Sequence, residues 1–218
     1  MKKTKERPVS LRDFQEMFKG IYYDKDKRDY TSADLLLHVQ EEAAKIDEGM
    51  RKTDKSEIVR ALPNLFCWLL SFCNMEGIDA ESVIFSKYGG CCPYCGKEEN
   101  CMCITMDQKS PYWHASPNAS RPIAIYGLQE MFKKIYGRIN KMAWRIQIWL
   151  HVHEELGEFS REFRLRNESE AAEELADCFA WLFAFSNKMG VDLGENIWIV
   201  YPGECSVCRA VKCQCPKV

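Results

Sequence analysis

Residues 140–166 read NKMAWRIQIWLHVHEELGEFSREFRLR, and residues 171–188 read AAEELADCFAWLFAFSNK. The first stretch has no proline and only Gly157 to weaken it, and both place apolar residues at helical spacing, so the pair predicts two long helices. Asn167-Glu-Ser169 is the expected hairpin between them, and Gly190 is a natural helix stop. Upstream, Ile123 to Tyr136 shows the same periodicity. Downstream, a short segment from Asp192 to Ile199 precedes a cluster of cysteines.

This pattern occurs twice. A shift of about 113 residues returns Gln15-Glu-Met-Phe-Lys19 as Gln129-Glu-Met-Phe-Lys133 and Ile21-Tyr22 as Ile135-Tyr136. His38, Glu41-Glu42, Trp68-Leu69 and Asn74 return as His151, Glu154-Glu155, Trp181-Leu182 and Asn187. Gly77-Ile-Asp79 becomes Gly190-Val-Asp192, and Cys92-Pro-Tyr-Cys95 becomes Cys205-Ser-Val-Cys208. The chain therefore divides into one repeat over 9–103, a Ser-, Pro- and Asn-rich linker over 104–122 and a second repeat over 123–218. Each repeat is three helical segments followed by a cysteine knuckle. Pro63 falls inside the third helix of the first repeat, where a kink or local weakening is expected. With no convincing set of alternating strands in either copy, the expected fold is all-α, the two repeats packing as pseudo-twofold halves of one bundle.

Composition narrows the partners. The chain has 218 residues, 46% hydrophobic and 28% charged, with a formal net charge of -2. That balance gives no bulk electrostatic pull towards nucleic acid or an anionic membrane, so a phosphate-bearing ligand must be gripped locally. No run approaches the roughly 18 apolar residues of a membrane span. The basic start reads as a short frayed N-terminus on a cytoplasmic protein. Asn118-Ala-Ser120 matches a glycosylation sequon that carries no weight in such a chain.

Glu154, Glu155 and Glu158 share one flank of the first long helix, and Glu174 and Asp177, three residues apart, share one face of the next. A hairpin returning the chain antiparallel lets the two sets converge. Leu150, Phe159, Leu175, Phe179, Leu182 and Phe183 demand burial, so carboxylates interleaved with them lie at a core edge, where like charges repel and desolvation is costly. A hard divalent cation removes that cost, and clustered oxygen ligands suit magnesium. The bland alternative is a solvated acidic helix face.

The order Glu154-Glu155-x-x-Glu158, then Glu174-x-x-Asp177, then Asn187 and Gly190-Val-Asp192 resembles the signature of the MazG-type all-α nucleotide pyrophosphohydrolases, which are related to the dimeric dUTPases. The resemblance covers roughly residues 140–200. It implies magnesium-dependent hydrolysis of a nucleoside triphosphate to the monophosphate and pyrophosphate, with Glu155, Glu158, Glu174 and Asp177 as magnesium ligands. It also implies that Glu154 supports the ligands or activates water. Lys188, Arg161 and Arg164 are the nearest basic candidates to clamp distal phosphates, with Asn187 beside them as a substrate contact. Nucleotide is the expected partner, neither membrane nor nucleic acid is expected, and a homodimer fits the family's habit. The competing reading is a non-catalytic, zinc-stapled helical module that binds nucleotide or protein.

The first repeat acts as an internal control. Glu158 is replaced by Lys45, Glu174 by Ala61 and Asp177 by Asn64, whereas the apolar frame of Leu62, Leu65, Phe66, Trp68 and Leu69 is kept. The first copy thus reads as a degenerate, catalytically silent partner. His38 and His151 occupy matched positions, which favours packing or hydrogen bonding over a role in one half. His153, beside Glu154, reads as paired with it. Trp144 and Trp149 could stack on a base, although core or interface packing competes.

Eight of the twelve cysteines form two tight sets, Cys92, Cys95, Cys101, Cys103 and Cys205, Cys208, Cys213, Cys215. Four thiols on so short a loop suit a closed tetrahedral zinc site with a structural role. Cys91 could compete with Cys92 as ligand. Cys67, Cys73 and Cys178 read as small core residues.

Overall fold

The computed structural model describes residues 6–103 and 121–217, so most of the 104–122 linker and the Asn118 sequon lie outside the described residues. Among the described residues there are eight helices and no strand. They are α1 (Leu11–Asp29), α2 (Ser32–Lys52), α3 (Lys55–Glu76), α4 (Ala80–Lys87), α5 (Ile125–Met142), α6 (Arg145–Leu165), α7 (Glu168–Met189) and α8 (Leu193–Val200).

Local chemistry sets the boundaries. Ser10 and Thr31 cap α1 and α2 in reciprocal capping boxes with Asp13 and Asp34, and the Asp54 carboxylate accepts the first amides of α3. Gly77 and Gly190 end α3 and α7 in the left-handed conformation, φ 69° and 66°. The hairpins between the second and third helices turn on non-glycine residues in that region, Thr53 (φ 58°) and Arg166 (φ 59°), at the same repeat position. α3 runs continuously through Pro63 from Lys55 to Glu76. The expected long helix from residue 140 is instead divided: α5 continues to Met142, Ala143 and Trp144 are extended, and α6 begins at Arg145. No proline or glycine marks this break; the Gln147 side chain makes it by accepting the Trp144 amide at 2.7 Å.

The described chain clusters into two compact units, and these cut across the repeats. Unit 1 holds the residues up to Ala80 together with those from Leu193 onward; unit 2 is Glu81–Asp192. In unit 1, α1, α2 and α3 of the first repeat pack with α8 and the knuckle of the second. In unit 2, α5, α6 and α7 of the second repeat pack with α4 and the knuckle of the first. The repeats persist as sequence periods, but their last helix and knuckle are exchanged.

The same devices close both units. In unit 2, the Gln129 side chain donates to the Val191 carbonyl at 2.7 Å and to Asn187, whose amide returns a bond to the Gln129 carbonyl. In unit 1, Gln15 binds the Ile78 carbonyl and Asn74 in the same way. The exchanged knuckles dock by matched backbone bonds, Cys101 N–H to the Ile135 carbonyl at 2.7 Å and Cys213 N–H to the Ile21 carbonyl at 2.8 Å. Phe159, Leu175, Phe179, Leu182 and Phe183 are buried as their apolarity demands, and Phe132 stacks on Phe183. Leu150 departs from expectation: it is 57% exposed, because Trp149, Val152, Leu156 and Phe159 form the inward stripe of α6 and Leu150 falls outside it. α3 is long and apolar, with mean hydropathy 1.3, and most of it is buried, the pattern of a core helix.

The exchange gives a direct test. A chain ending at residue 192 loses Leu193, Ile197 and Tyr201, each buried in unit 1, at about 1.5–3 kcal/mol per large side chain. Hydrogen exchange should then show lost protection in α1–α3 of the first repeat and unchanged protection in α6 and α7. Loss confined to the second repeat would overturn the assignment of the units.

Candidate metal centre

The α6–α7 hairpin of unit 2 brings Glu155, Glu158 and Glu174 together, with one carboxylate oxygen of each within 4.8 Å of the others. The spacing is local in origin. Glu155 and Glu158 stand almost one turn apart on α6, and the tight connection at Arg166 and Asn167 sets the first turns of α7 against them. All three are half-buried. Burial, and then the charges of Asp177, Glu174 and Glu158, push the Glu155 carboxyl up to about 8. Burial and Asp177 also raise Glu174. The Trp181 indole N–H donates to Glu155 at 3.2 Å.

Asp177 is adjacent but differently engaged. Its oxygens accept from the Lys87 ammonium and from the Tyr88 hydroxyl, both at 2.6 Å. Burial raises Asp177, while Lys87 and Tyr88 pull it back. The Lys87 side chain is only 7% exposed; burial opposes its charge, but Asp177 outweighs this and holds it protonated. Lys87 and Tyr88 come from α4 and the residue after it, in the other repeat. Sequence reasoning passed them over, although the repeat itself holds a signal: the matching pair is Val200-Tyr201, in which the tyrosine is kept and the lysine is not.

The remaining candidates lie elsewhere. Glu154 points away from the cluster and bonds His151 Nδ1 at 2.9 Å, and Glu41 does the same to His38 in unit 1. His151 stacks on Trp181 at 4.2 Å as His38 stacks on Trp68. Asn187 closes the α5–α7 contact described above. The Lys188 ammonium is bound by the carbonyls of Asn140 and Lys141, and at 1.5 Å rise per residue it stands about 20 Å along α7 from Glu174. Arg161 pairs with Glu162 at 2.7 Å, yet its charge is also felt by Glu158 and Glu174. Arg164 is exposed. Trp149 is a core residue packed against Phe185, His153 meets its ring edge-on, and Trp144 is exposed.

Beside the cluster lies a cavity of about 380 Å³ walled by Tyr88, Tyr94, Tyr136, His151, Ile148 and Trp181. Trp181 and Tyr88 touch both regions, one through Glu155 and the other through Asp177. The aromatic walls suit a planar apolar ring.

Both cysteine sets are assembled, each with its four sulfurs within 4.8 Å. Observed sulfur separations are 3.6 Å for Cys95–Cys101 and 3.9 Å for Cys205–Cys215, against about 3.8 Å along the edge of a tetrahedron of 2.3 Å zinc–sulfur bonds. At Cys208 backbone amides favour the thiolate, the Gln214 N–H at 3.5 Å helping to bring that thiol down to about 6, whereas burial pushes Cys103 up to about 11 and also raises Cys101, Cys213 and Cys215. Each set could hold a zinc ion. Cys91 is buried outside the four-thiol set. Cys67, Cys73 and Cys178 are buried as expected.

Comparison with protein-family models, curated proteins and solved structures gives no match for this chain.

Because the fold raises the Glu155 pKa from 4.5 to about 8, it favours the protonated form. The associated stability is complete below about pH 4.5 and is lost as pH rises through about 8. In magnesium-free buffer the thermal midpoint should therefore fall between about pH 5 and pH 9, and added magnesium should raise it more at the upper end. A flat profile with equal magnesium effects would show that the carboxylates do not interact.

Proposed function

We propose that unit 2 is a magnesium-dependent nucleotide pyrophosphohydrolase of MazG type, converting a nucleoside triphosphate to its monophosphate and pyrophosphate. One observation carries the reading: three mutually repelling, half-buried carboxylates from two helices adjoin an aromatic cavity and a buried ammonium. A solvated acidic face would have none of these neighbours. The resemblance of residues 154–192 to the family signature, carried by the same acidic residues, is in keeping with this reading.

The donor set fits the ion. Octahedral magnesium with bonds near 2.1 Å places ligand oxygens up to about 4.2 Å apart, so oxygens within 4.8 Å need only small side-chain adjustments. Glu155, Glu158 and Glu174 would hold it, with Asp177 completing the set if its Oδ1 exchanges Tyr88 for the cation while its Oδ2 keeps Lys87. When bound, magnesium neutralises phosphate charge and makes water more acidic.

The chain's own groups supply the rest. Tyr94, Tyr136 and Trp181 receive the base and exclude water from the reacting end. Lys87, kept protonated and pre-positioned by Asp177, offers positive charge to phosphate oxygens as negative charge shifts to the leaving group. Water attacks the α-phosphorus, its proton passes to a carboxylate of the cluster, and the bond from that phosphorus to the bridging oxygen breaks to release pyrophosphate. Arg161, whose charge is felt by Glu158 and Glu174, would meet the distal phosphates. Glu154, tied to His151 in the manner of Glu41 and His38, orients the Trp181 wall rather than the reaction. Unit 1 lacks the acidic triad and is catalytically silent.

Pyrophosphate release from a nucleotide panel, followed by chromatography with and without magnesium, tests this. Glu155→Gln and Glu158→Gln should each lower turnover by roughly 10²-fold or more, and Lys87→Met by about 10²-fold, while Lys45→Ala should stay near the wild-type rate. If no nucleotide yields pyrophosphate, the chain is a binding module. If Lys87→Met is fully active, Lys87 has no part in the chemistry.

A further inference from the structure

Unit 1 contains a cavity of about 280 Å³ whose walls are the repeat counterparts of those in unit 2. Tyr22 stands for Tyr136, Trp68 for Trp181, His38 for His151 and Tyr201 for Tyr88. Most of the aromatic frame is retained, with Val207 in place of Tyr94: His38 lies on Trp68 at 4.2 Å, and the Tyr201 hydroxyl binds Asn64 at 2.7 Å where Tyr88 binds Asp177. The charged groups differ most. Glu42 is held by Lys45 at 2.6 Å and by Asn64 at 3.3 Å, so no group of carboxylates awaits a cation. Ile139 and Asn140 of unit 2 are replaced by Lys25 and Asp26.

Asp26 is the residue that points to a ligand. It lines the cavity, is 2% exposed, and its Oδ1 has no hydrogen-bond partner among the described residues. Burial pushes its pKa up to about 6, with Ser71 and Lys25 only partly offsetting the effect. Lys25 is itself engaged, with the Tyr30 hydroxyl at 3.2 Å, Asp29 at 3.7 Å and the Tyr30 ring beneath it at 4.4 Å. A buried acceptor without a partner is costly until something donates to it, and Asp26 stands in the cavity wall.

We propose that the unit 1 cavity is a second nucleoside site, which takes a base through an N–H donated to the Asp26 carboxylate as that side chain turns towards the cavity, and which requires no divalent cation. The ligand class rests on the nucleotide reading of unit 2, since the two cavities occupy the same position in the repeat. Tyr22, Tyr30, Tyr201 and Trp68 enclose the ring, and the small volume suits a nucleoside better than a triphosphate. Lys45, half exposed beside Glu42, can add a contact to a 5′-phosphate. Recognition is kept in unit 1 while the chemistry is lost, so the bound nucleoside leaves unchanged.

Calorimetric titration of the full chain in magnesium-free buffer tests this, using adenosine, adenosine 5′-monophosphate and N6,N6-dimethyladenosine, which has no N–H donor on its base, alongside cytidine, guanosine and uridine. At least one natural nucleoside should bind saturably, and its 5′-monophosphate should bind at least as tightly; dimethylation should weaken adenosine binding if adenosine is that ligand. Asp26→Asn should weaken binding roughly tenfold to a hundredfold. It should also raise the thermal midpoint, because a buried charge is removed, and leave magnesium-dependent turnover in unit 2 unchanged. Trp181→Ala, in the other cavity, should not affect this binding. The proposal is overturned if no nucleoside binds, if Asp26→Asn binds like wild type, or if Trp181→Ala abolishes binding. Pyrophosphate release without such binding would remove the second site alone, and binding without pyrophosphate release would remove the catalytic reading of unit 2.

Discussion

Asp177 sits where two demands meet. Its helix, α7, must bury Leu175, Phe179 and Leu182, which carries the carboxylate inward to a place where an isolated negative charge is expensive. Lys87 and Tyr88 meet that cost by donating to both oxygens. They can do so only because the fourth helix of one repeat packs on the third helix of the other. The remaining carboxylates, Glu155, Glu158 and Glu174, have no comparable ammonium at bonding distance in the geometry described, and the raised pKa of Glu155 expresses that imbalance. Fold and candidate chemistry therefore depend on the same exchanged contact.

The exchange also explains the pattern of loss between the repeats. By sequence, the first repeat has lost three acidic residues, to Lys45, Ala61 and Asn64, and the second has lost one lysine, to Val200. Assigned to repeats, these losses look scattered. Assigned to units, all four fall in unit 1, and every member of the opposing set, Glu158, Glu174, Asp177 and Lys87, falls in unit 2. One unit with the whole acidic set and its lysine, and one without it, is the outcome expected if selection acts on assembled sites. Features shared by both units, such as the Gln129–Asn187 and Gln15–Asn74 clasps and the histidine–tryptophan stacks, belong to the architecture.

What could be read from sequence was what depends on neighbours along the chain. The helical fold, the Gly190 stop and the meeting of Glu155, Glu158 and Glu174 follow from spacing on a hairpin. The four-thiol sets follow from short loops. Lys87 could not be read in this way, because its role depends on which helices touch after the exchange. Glu154 and Glu155 are adjacent residues facing directions about 100° apart, and since Glu41 and Glu42 preserve both, comparing the repeats could not tell the buried one from the one tied to histidine. The break at Ala143 and Trp144 was equally hidden: a glutamine side chain makes it, and no helix-breaking residue marks it.

A self-paired assembly of identical subunits cannot specialise its two pockets separately, because every substitution appears in both. Joining the copies in one polypeptide lifts that symmetry while the traded terminal helices keep each pocket dependent on both copies. Neither repeat can then be discarded, even though only one half keeps the clustered acidic triad, and divergence can proceed in one half without dissolving the other.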